Sequence, residues 1–151
     1  MYLNEATFAT VVANTPLVAI DLIIKNNLDQ VLLGQRLNRP AKGFWFVPGG
    51  RIFKDEPIAT AFGRLALGEL GQELSFENAA LLGNYEHFYK DSIFEDKAIS
   101  THYVCLAYLV GLTRELKSLP LHVQHSDYKW FDVRVLLNDP EVHQNTKRYF
   151  A

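Results

Sequence analysis

An amphipathic segment over residues 57–70 constrains the fold of this chain more than any other feature. At about 100° per residue its apolar side chains fall on one face, as in a helix packed on a core. Those side chains are Ile58, Ala61, Phe62 and Leu65. Glu69 lies on the same face, in the last turn before a helix end predicted at Gly71, where the helix dipole disfavours negative charge. Three interpretations stay open: a solvated side chain past the edge of the core, a partner of Arg64, or a ligand for a cation.

Two adjacent glycines, Gly49 and Gly50, precede this helix and follow a segment typical of a strand end. Paired glycines let the backbone approach a ligand or a metal closely. Five residues separate Gly50 from Glu56, and seven separate Glu56 from Arg64. This spacing resembles the Nudix box, Gly-x5-Glu-x7-Arg-Glu-U-x-Glu-Glu-x-Gly-U, in which U is apolar. The residues that match the box are Gly50, Glu56, Arg64, Glu69 and Gly71.

The departures from the box are informative. Leu65 and Gly68 stand where the box has two of its glutamates, Gln72 also departs, and Ala66 is a small version of the expected apolar residue. Ordinary Nudix hydrolases hold divalent metals at a diphosphate with several box glutamates. A site left with Glu69 alone is expected to hold one metal, which weakens the case for water attack on phosphorus.

The same degenerate box is similar to that of the GDP-mannose mannosyl hydrolases, a Nudix branch that hydrolyses the sugar C–O bond. Further segments resemble that branch, and together they extend the resemblance over nearly the whole chain. They lie at 38–41, 43–51, 101–104 and 124–130. The resemblance also implies a homodimer.

Composition restricts the class of partner. A net charge of −2 gives no case for binding nucleic acid or an anionic membrane. The apolar run 17–24 contains Asp21, is too short to span a bilayer, and follows no basic segment of a signal peptide. The single cysteine, Cys105, lies in an apolar run, reads as a buried strand residue and cannot form an internal disulfide. We therefore expect a cytoplasmic protein with no membrane partner.

The length of 151 residues predicts one domain over residues 1–151, and the polar segment at 90–100, which has no clear periodicity, is expected to be a mobile loop near a site. Interleaved strands and helices favour an α+β fold, an α/β/α sandwich with a mixed β-sheet, which the Nudix resemblance also implies. Asn4 is the expected cap of the first helix, Asp132 caps a short helix, and Asp139 with Pro140 begins the last one. The predicted first helix lies at 4–13, and the predicted strands lie at 17–25, 31–36, 44–48, 51–53, 81–88, 102–112 and 128–131.

Oxygen ligands in the site fit Mg²⁺, which prefers hard oxygen donors and keeps waters or substrate phosphates in its shell. The resemblance assigns the protein ligands to Gly49, Glu69 and Gln124, with one Mg²⁺ per site and Mn²⁺ as a substitute. Gln124, taken alone, reads as a polar loop residue. Glu56 is expected to cap or buttress the helix and Arg64 to orient Glu69, both behind the metal ligands.

His125 is the candidate general base, because a neutral imidazole can take a proton from water at physiological pH. It is expected in a loop before a strand, where a lone histidine is more often simply exposed. The Gln-His pair of the resembling branch is what favours catalysis. His87, at a strand end, is a weaker candidate for lining the site.

Two arginines are expected to hold phosphate. Arg36 ends a strand and Arg51 follows the glycines, and either guanidinium can clamp phosphate oxygens. The resemblance assigns them to the diphosphate and the departing GDP; the alternative is a surface salt bridge for each. Asp21 is either a satisfied core residue or, as the resemblance suggests, a sugar contact near the developing positive charge. Tyr103 assists there or simply packs.

The resemblance thus implies Mg²⁺-dependent hydrolysis of GDP-mannose to GDP and free sugar, with inversion at the anomeric carbon. GDP-glucose is chemically as plausible, since one hydroxyl differs in orientation. Two rivals stay open: a Nudix pyrophosphatase that releases a nucleoside monophosphate and a sugar 1-phosphate, and a non-catalytic module that binds a nucleotide sugar.

Overall fold

A computed structural model describes residues 2–116, 119–120 and 124–151 of the chain. In these residues seven strands form one mixed sheet with helices packed around it, as the α/β/α sandwich prediction requires. None of the described helices is long and apolar enough to cross a membrane. The elements are α1 (Glu5–Asn14), β1 (Leu17–Lys25), β2 (Val31–Arg36), β3 (Trp45–Phe46), β4 (Gly49–Arg51), α2 (Ile58–Leu70), β5 (Ala80–Tyr89), β6 (Thr101–Gly111), β7 (His125–Phe131), α3 (Val133–Asn138) and α4 (Gln144–Lys147).

Strand β1 is the centre of the sheet. It runs parallel to β6 along its whole length and antiparallel to β4 through the register Asp21↔Gly49, while its end pairs with β2. On the far side, β2 pairs with β3 and β7, and β6 pairs with β5. The glycine pair is thereby fixed to the most central strand of the molecule.

The side chains of β1 alternate between two cores, as the period of a strand requires. Ile20, Leu22 and Ile24 pack under α2, whereas Ile23 packs on the opposite face against Phe131 and Leu136. Asp21 shares the face of Ile23, so it lies on the side of the sheet away from α2. Glu69 is carried by α2 on the other side.

Helix α2 begins and ends close to the predicted residues. Gly71 takes a left-handed conformation with φ of 73° and its N–H bonds to the carbonyl of Leu67, which ends the helix. At the start of the chain, the Asn4 side chain accepts a hydrogen bond from the N–H of Thr7 and caps α1, as predicted.

Two element predictions are wrong. The strand predicted at 51–53 lies two residues earlier, at Gly49–Arg51, because the glycine pair and Arg51 are the residues that pair with β1. The last helix does not begin at Asp139: the described helix starts at Gln144, where the His143 ring accepts from the N–H of Asn145 as the cap.

Candidate active site

A cleft of about 390 Å³ opens beside the glycine pair, where β4, β6 and the end of α2 meet. It brings together residues from six separate parts of the sequence. The predicted site residues that line it are Arg36, Gly49, Arg51, Arg64, Glu69, Tyr103 and Gln124. Gln124 lies there because its carbonyl accepts a 3.1 Å hydrogen bond from the N–H of Leu37. All three predicted metal ligands thus lie in one cleft.

Gly49 has no room for a side chain, and a side chain on Gly50 would have to displace its neighbour. A Cβ built on Gly49 would collide with the Ile20 carbonyl and lie 2.6 Å from Oδ1 of Asp21, and one built on Gly50 would lie 2.5 Å from the Leu65 side chain. The backbone of β4 therefore approaches β1 more closely than any side chain at position 49 allows, and it packs tightly against the Leu65 side chain of α2. This contact brings the backbone of Gly49 and the carboxylate of Glu69 to the same cleft.

The carboxylate of Glu69 is buried, with 7% of the residue exposed. Its Oε2 atom has no hydrogen-bond partner among the described residues, and burial raises the pKa of the group to about 7, although the charge of Arg36 opposes this. The solvated interpretation is therefore wrong. An orphaned carboxylate oxygen beside a cleft, with an amide side chain and a glycine backbone lining the same space, fits the hard-oxygen donor set of Mg²⁺.

Arg64 does not contact Glu69, contrary to the prediction that it orients that carboxylate. Its guanidinium bonds to the Glu56 carboxylate at 2.8 and 2.9 Å and to the carbonyl of Arg51 at 2.9 Å. The Glu56 carboxylate also accepts from the N–H of Phe53, and the hydrogen bond from Arg64 lowers its pKa. The pair braces the segment between β4 and α2, so Glu56 buttresses the helix as predicted.

The charges that line the cleft are strongly unequal. Leu65 and Gly68 lie beside Glu69, which is the only carboxylate among the described residues that line this space. The cations that line it are Arg36, Arg39, Arg51 and Arg64. The cleft is therefore suited to a polyanion, with few ligands for a second divalent metal.

Two of these arginines are fixed by contacts other than salt bridges. Nε of Arg36 donates to the carbonyl of Pro40 at 2.9 Å. The Arg51 guanidinium lies 4.5 Å from the ring centre of Phe8 and 4.9 Å from that of Phe53. Neither forms a salt bridge within the described part of the chain, so both keep N–H groups for a ligand.

A smaller cavity of about 70 Å³ adjoins the cleft on the Asp21 side of the sheet, and Arg36, Gly49 and Tyr103 line both spaces. Asp21 and His87, buried residues on β1 and β5, line it as predicted, together with Cys105, which is buried in β6 as expected. Burial raises the pKa of Asp21 to about 6 and lowers that of His87 to about 4.

Tyr149 was not identified from the sequence, yet it connects these buried groups. Its hydroxyl donates a short hydrogen bond to Oδ2 of Asp21 and therefore accepts from Nε2 of His87, 3.2 Å away. Nδ1 of His87 then accepts from the Cys105 thiol at 3.3 Å, and burial raises the pKa of that thiol, so it keeps its proton. The possible metal-ligand atoms of Asp21, His87 and Cys105 lie within 4.8 Å of one another, as in a metal site. Each of these side chains, however, already has a hydrogen-bond partner.

His125 lies outside both cavities, at the start of β7 and not in the predicted loop. Its ring is buried against the backbone of Gly34, where a Cβ would lie 2.5 Å from Cδ2 of the imidazole. Nδ1 lies 3.6 Å from Oε2 of Glu69, and burial lowers the pKa of the ring to about 4. The ring is therefore neutral at pH 7 and adjoins the predicted metal ligand.

Comparison with known proteins agrees with this geometry. A family model described as the NUDIX domain matches residues 15–151, so the chain belongs to the Nudix hydrolase family. One relative, the low-salt glycan biosynthesis protein Agl8 of Haloferax volcanii, is 44% identical over 122 residues, which cover 81% of this chain and 74% of the relative.

Solved structures share the fold. A MutT NUDIX hydrolase from Burkholderia pseudomallei has a TM-score of 0.71 and 25% identity, with 90% of this chain and 96% of that chain covered. A MutT protein from Methanosarcina mazei Go1 has a TM-score of 0.72 and 17% identity, with coverages of 91% and 92%. The expected Nudix sandwich is confirmed.

Proposed function

We propose that this Nudix hydrolase cleaves GDP-mannose, or GDP-glucose, to GDP and the free sugar by water attack on the anomeric carbon. The observation that carries the proposal is the single carboxylate of the cleft. Leu65 and Gly68 occupy positions beside Glu69 where further acidic ligands would be needed to hold several metals around an attacked phosphorus. Arg36 and Arg51, which form no salt bridge among the described residues, lie beside this one acid and favour neutralising a leaving diphosphate instead.

Glu69, Gln124 and the backbone carbonyl of Gly49 would hold one Mg²⁺, and Mn²⁺ offers a similar octahedral preference. When bound, the metal supplies positive charge to the diphosphate. Arg36 and Arg51 would bind the diphosphate oxygens and stabilise GDP as the bond between the anomeric carbon and the β-phosphate oxygen breaks. The electron pair of that bond leaves with GDP, and because the arginines and the metal neutralise the resulting anion, no general acid is needed, in contrast to ordinary glycosidases.

The sugar would lie toward the smaller cavity, where Asp21, His87 and Tyr103 line the wall. A buried aspartate there places negative charge near the positive charge that develops on the sugar ring. His125 would accept the proton of the attacking water through its unpartnered Nε2. Since the ring is buried in this structure, base catalysis requires its side chain to turn toward the cleft. One displacement inverts the anomeric configuration.

The name of the Haloferax relative supports sugar nucleotide chemistry, because glycan biosynthesis consumes activated sugars. The support is for the class of substrate, and the choice of base and sugar belongs to this proposal.

Hydrolysis in ¹⁸O-labelled water tests the proposal. The protein is incubated with GDP-mannose or GDP-glucose and Mg²⁺. The products are then separated, and mass spectrometry identifies which of them carries ¹⁸O. We expect GDP and label in the free sugar. Label in phosphate, with GMP and a sugar 1-phosphate, would establish a pyrophosphatase instead. Absence of turnover with both substrates would overturn the proposal in favour of a nucleotide-sugar-binding module.

The role of His125 is tested by H125A. General base catalysis contributes about 10²- to 10⁴-fold in rate. Turnover of H125A should therefore decrease by a factor in that range, while substrate binding is retained. The matched control is H102A, since His102 contacts the exposed Glu86 on the sheet edge and lies outside both cavities. Equal turnover of H125A and the wild type would refute the role.

A further inference from the structure

Tyr128 touches both the histidine and the helix that carry the proposed chemistry. On β7 its hydroxyl lies 3.1 Å from Nδ1 of His125, 3.2 Å from the carbonyl of Glu69 and 3.4 Å from the carbonyl of Pro120. The Tyr128 ring also packs against the imidazole, with ring centres 5.1 Å apart. The hydroxyl has one proton to distribute among these three neighbours.

The direction of each bond follows from the chemistry of the neighbours. Backbone carbonyls only accept, and Glu69 is in the last turn of α2, where carbonyls have no partner within the helix. The hydroxyl therefore donates to a carbonyl. Toward His125 it can only accept, which requires the imidazole proton on Nδ1.

The neighbouring carboxylate favours the same proton position. Oε2 of Glu69 lies 3.6 Å from Nδ1, so the ionised carboxylate, like the hydroxyl oxygen, is an acceptor for a proton on this nitrogen. Nε2, by contrast, is buried and has no hydrogen-bond partner among the described residues. When the Glu69 carboxylate binds a metal, the Tyr128 hydroxyl is the remaining hydrogen-bond acceptor for the Nδ1 proton.

We propose that Tyr128 is a positioning residue, which holds the His125 imidazole in its buried orientation with its proton on Nδ1, so that Nε2 carries the lone pair when the side chain turns toward the substrate water. The inference rests on the proposed role of His125 as the base. It goes beyond that role because it assigns the tautomer and names the group that sets it. Tyr128 also couples the ring to the carbonyl of Glu69, so one hydroxyl links the base to a predicted metal ligand.

Nitrogen NMR of the histidine side chains tests the tautomer directly, because protonated and unprotonated ring nitrogens have well-separated ¹⁵N shifts. The ¹⁵N-labelled wild-type protein at neutral pH should show His125 with a protonated Nδ1 and an unprotonated Nε2. A proton on Nε2 in the wild type overturns the proposal, with no variant required.

Substitution Y128F removes the hydroxyl and keeps the ring. We expect the His125 shifts to move toward those of a mixture of tautomers, and kcat to fall by about tenfold or more with KM nearly unchanged, as for other groups that orient a catalytic side chain. Y108F is the matched control, since Tyr108 packs in the same core under α2 and its hydroxyl makes no bond to His125. Unchanged shifts in Y128F overturn the positioning role.

The two proposals fail separately. If H125A keeps full turnover, His125 is not the base, and Tyr128 then has no catalytic group to position, whatever the tautomer. If H125A is impaired but Y128F is wild-type in shifts and kcat, the base stands and the role of Tyr128 is refuted.

Discussion

At the residue scale, the side chains that matter most are polar groups held where water is excluded. Asp21 is the clearest case, because burial and the Tyr149 hydroxyl act on its pKa in opposite directions. The carboxylate reaches its pKa of about 6 only with that hydrogen bond in place. The group is therefore ionised at neutral pH by a small margin.

Substitution Y149F should raise the pKa of Asp21 further, because it removes a donor that favours the charged carboxylate. If the anion assists at the sugar, the acidic limb of the kcat profile will move to higher pH, with a larger loss of turnover below pH 7 than above it. The profile is measured for wild type, Y149F and Y85F. Tyr85 packs edge-on against Tyr149 at 4.6 Å, so its variant controls for packing. A limb that stays in place contradicts a role for the Asp21 charge.

Sequence reasoning at this scale reached the residues whose chemistry is unusual for their position. Glu69 on an apolar stripe and Asp21 in an apolar strand both stood out as carboxylates in apolar surroundings, although a solvated Glu69 stayed open. Tyr149 and Tyr128 gave no such signal, because nothing in the sequence around either tyrosine is unusual. Asp21, which accepts from Tyr149, lies 128 residues away, and the Glu69 carbonyl that accepts from Tyr128 lies 59 residues away, although His125 is only three residues from Tyr128. Hydroxyl partners of this kind are fixed by tertiary packing alone.

At the element scale, helix α2 was predicted within one residue because period, cap and spacing agree. Strand β4 was not predicted at its correct position. Its three residues have no alternating pattern, and the strand exists only through its pairing with β1. The prediction that Arg64 orients Glu69 was wrong, because helical spacing does not fix where a long side chain ends. The Arg64 side chain bonds to Glu56, before the helix, and not to Glu69 along it.

Gly68 weakens α2 without filling any space. A Cβ built there meets no atom within 4 Å, so alanine fits. G68A should raise the free energy of unfolding by about 1 kcal/mol, the usual difference between glycine and alanine inside a helix. Urea denaturation measures this difference. G63A is the control and should show the same gain, since Gly63 lies in the same helix and is equally free of neighbours.

Turnover of G68A carries separate information. Gly68 lines the cleft, so its variant also reports on the bound substrate. We expect kcat and KM to be unchanged if the added methyl group stays clear of the diphosphate. A stabilised protein with raised KM would show that the substrate approaches the helix backbone there. A variant less stable than the wild type would contradict the helix-propensity argument.

At the scale of the whole molecule, two buried carboxyls and two buried imidazoles oppose one another in their effect on stability. The pKa of Glu69 is raised from 4.5 to about 7, so the folded state holds a proton that the unfolded state has lost, and stability falls as pH rises through that window. The pKa of His125 is lowered from 6.5 to about 4, which makes stability rise over nearly the same window. Asp21 and His87 form a second opposing pair.

Substitution E69Q should unbalance this compensation. Without metal, the stability of E69Q relative to the wild type should increase as pH rises from about 4.5 to 6.5, by at most about 1.4 kcal/mol per pH unit. Chemical denaturation in EDTA at several pH values measures the difference. E77Q, at an exposed carboxylate, should follow the wild type. Parallel curves for E69Q and the wild type would contradict the raised pKa of Glu69.

Strand β1 carries a consequence for how this protein loses activity. It contacts the glycine pair, bears Asp21 and pairs with β6 along its full length, and it is buried almost throughout. Local fluctuations that free such a strand require the opening of the whole sheet, so its amides belong to the slowest-exchanging class. Heat inactivation should therefore coincide with global unfolding, and any core substitution that lowers the melting temperature will shorten the lifetime of the active site equally.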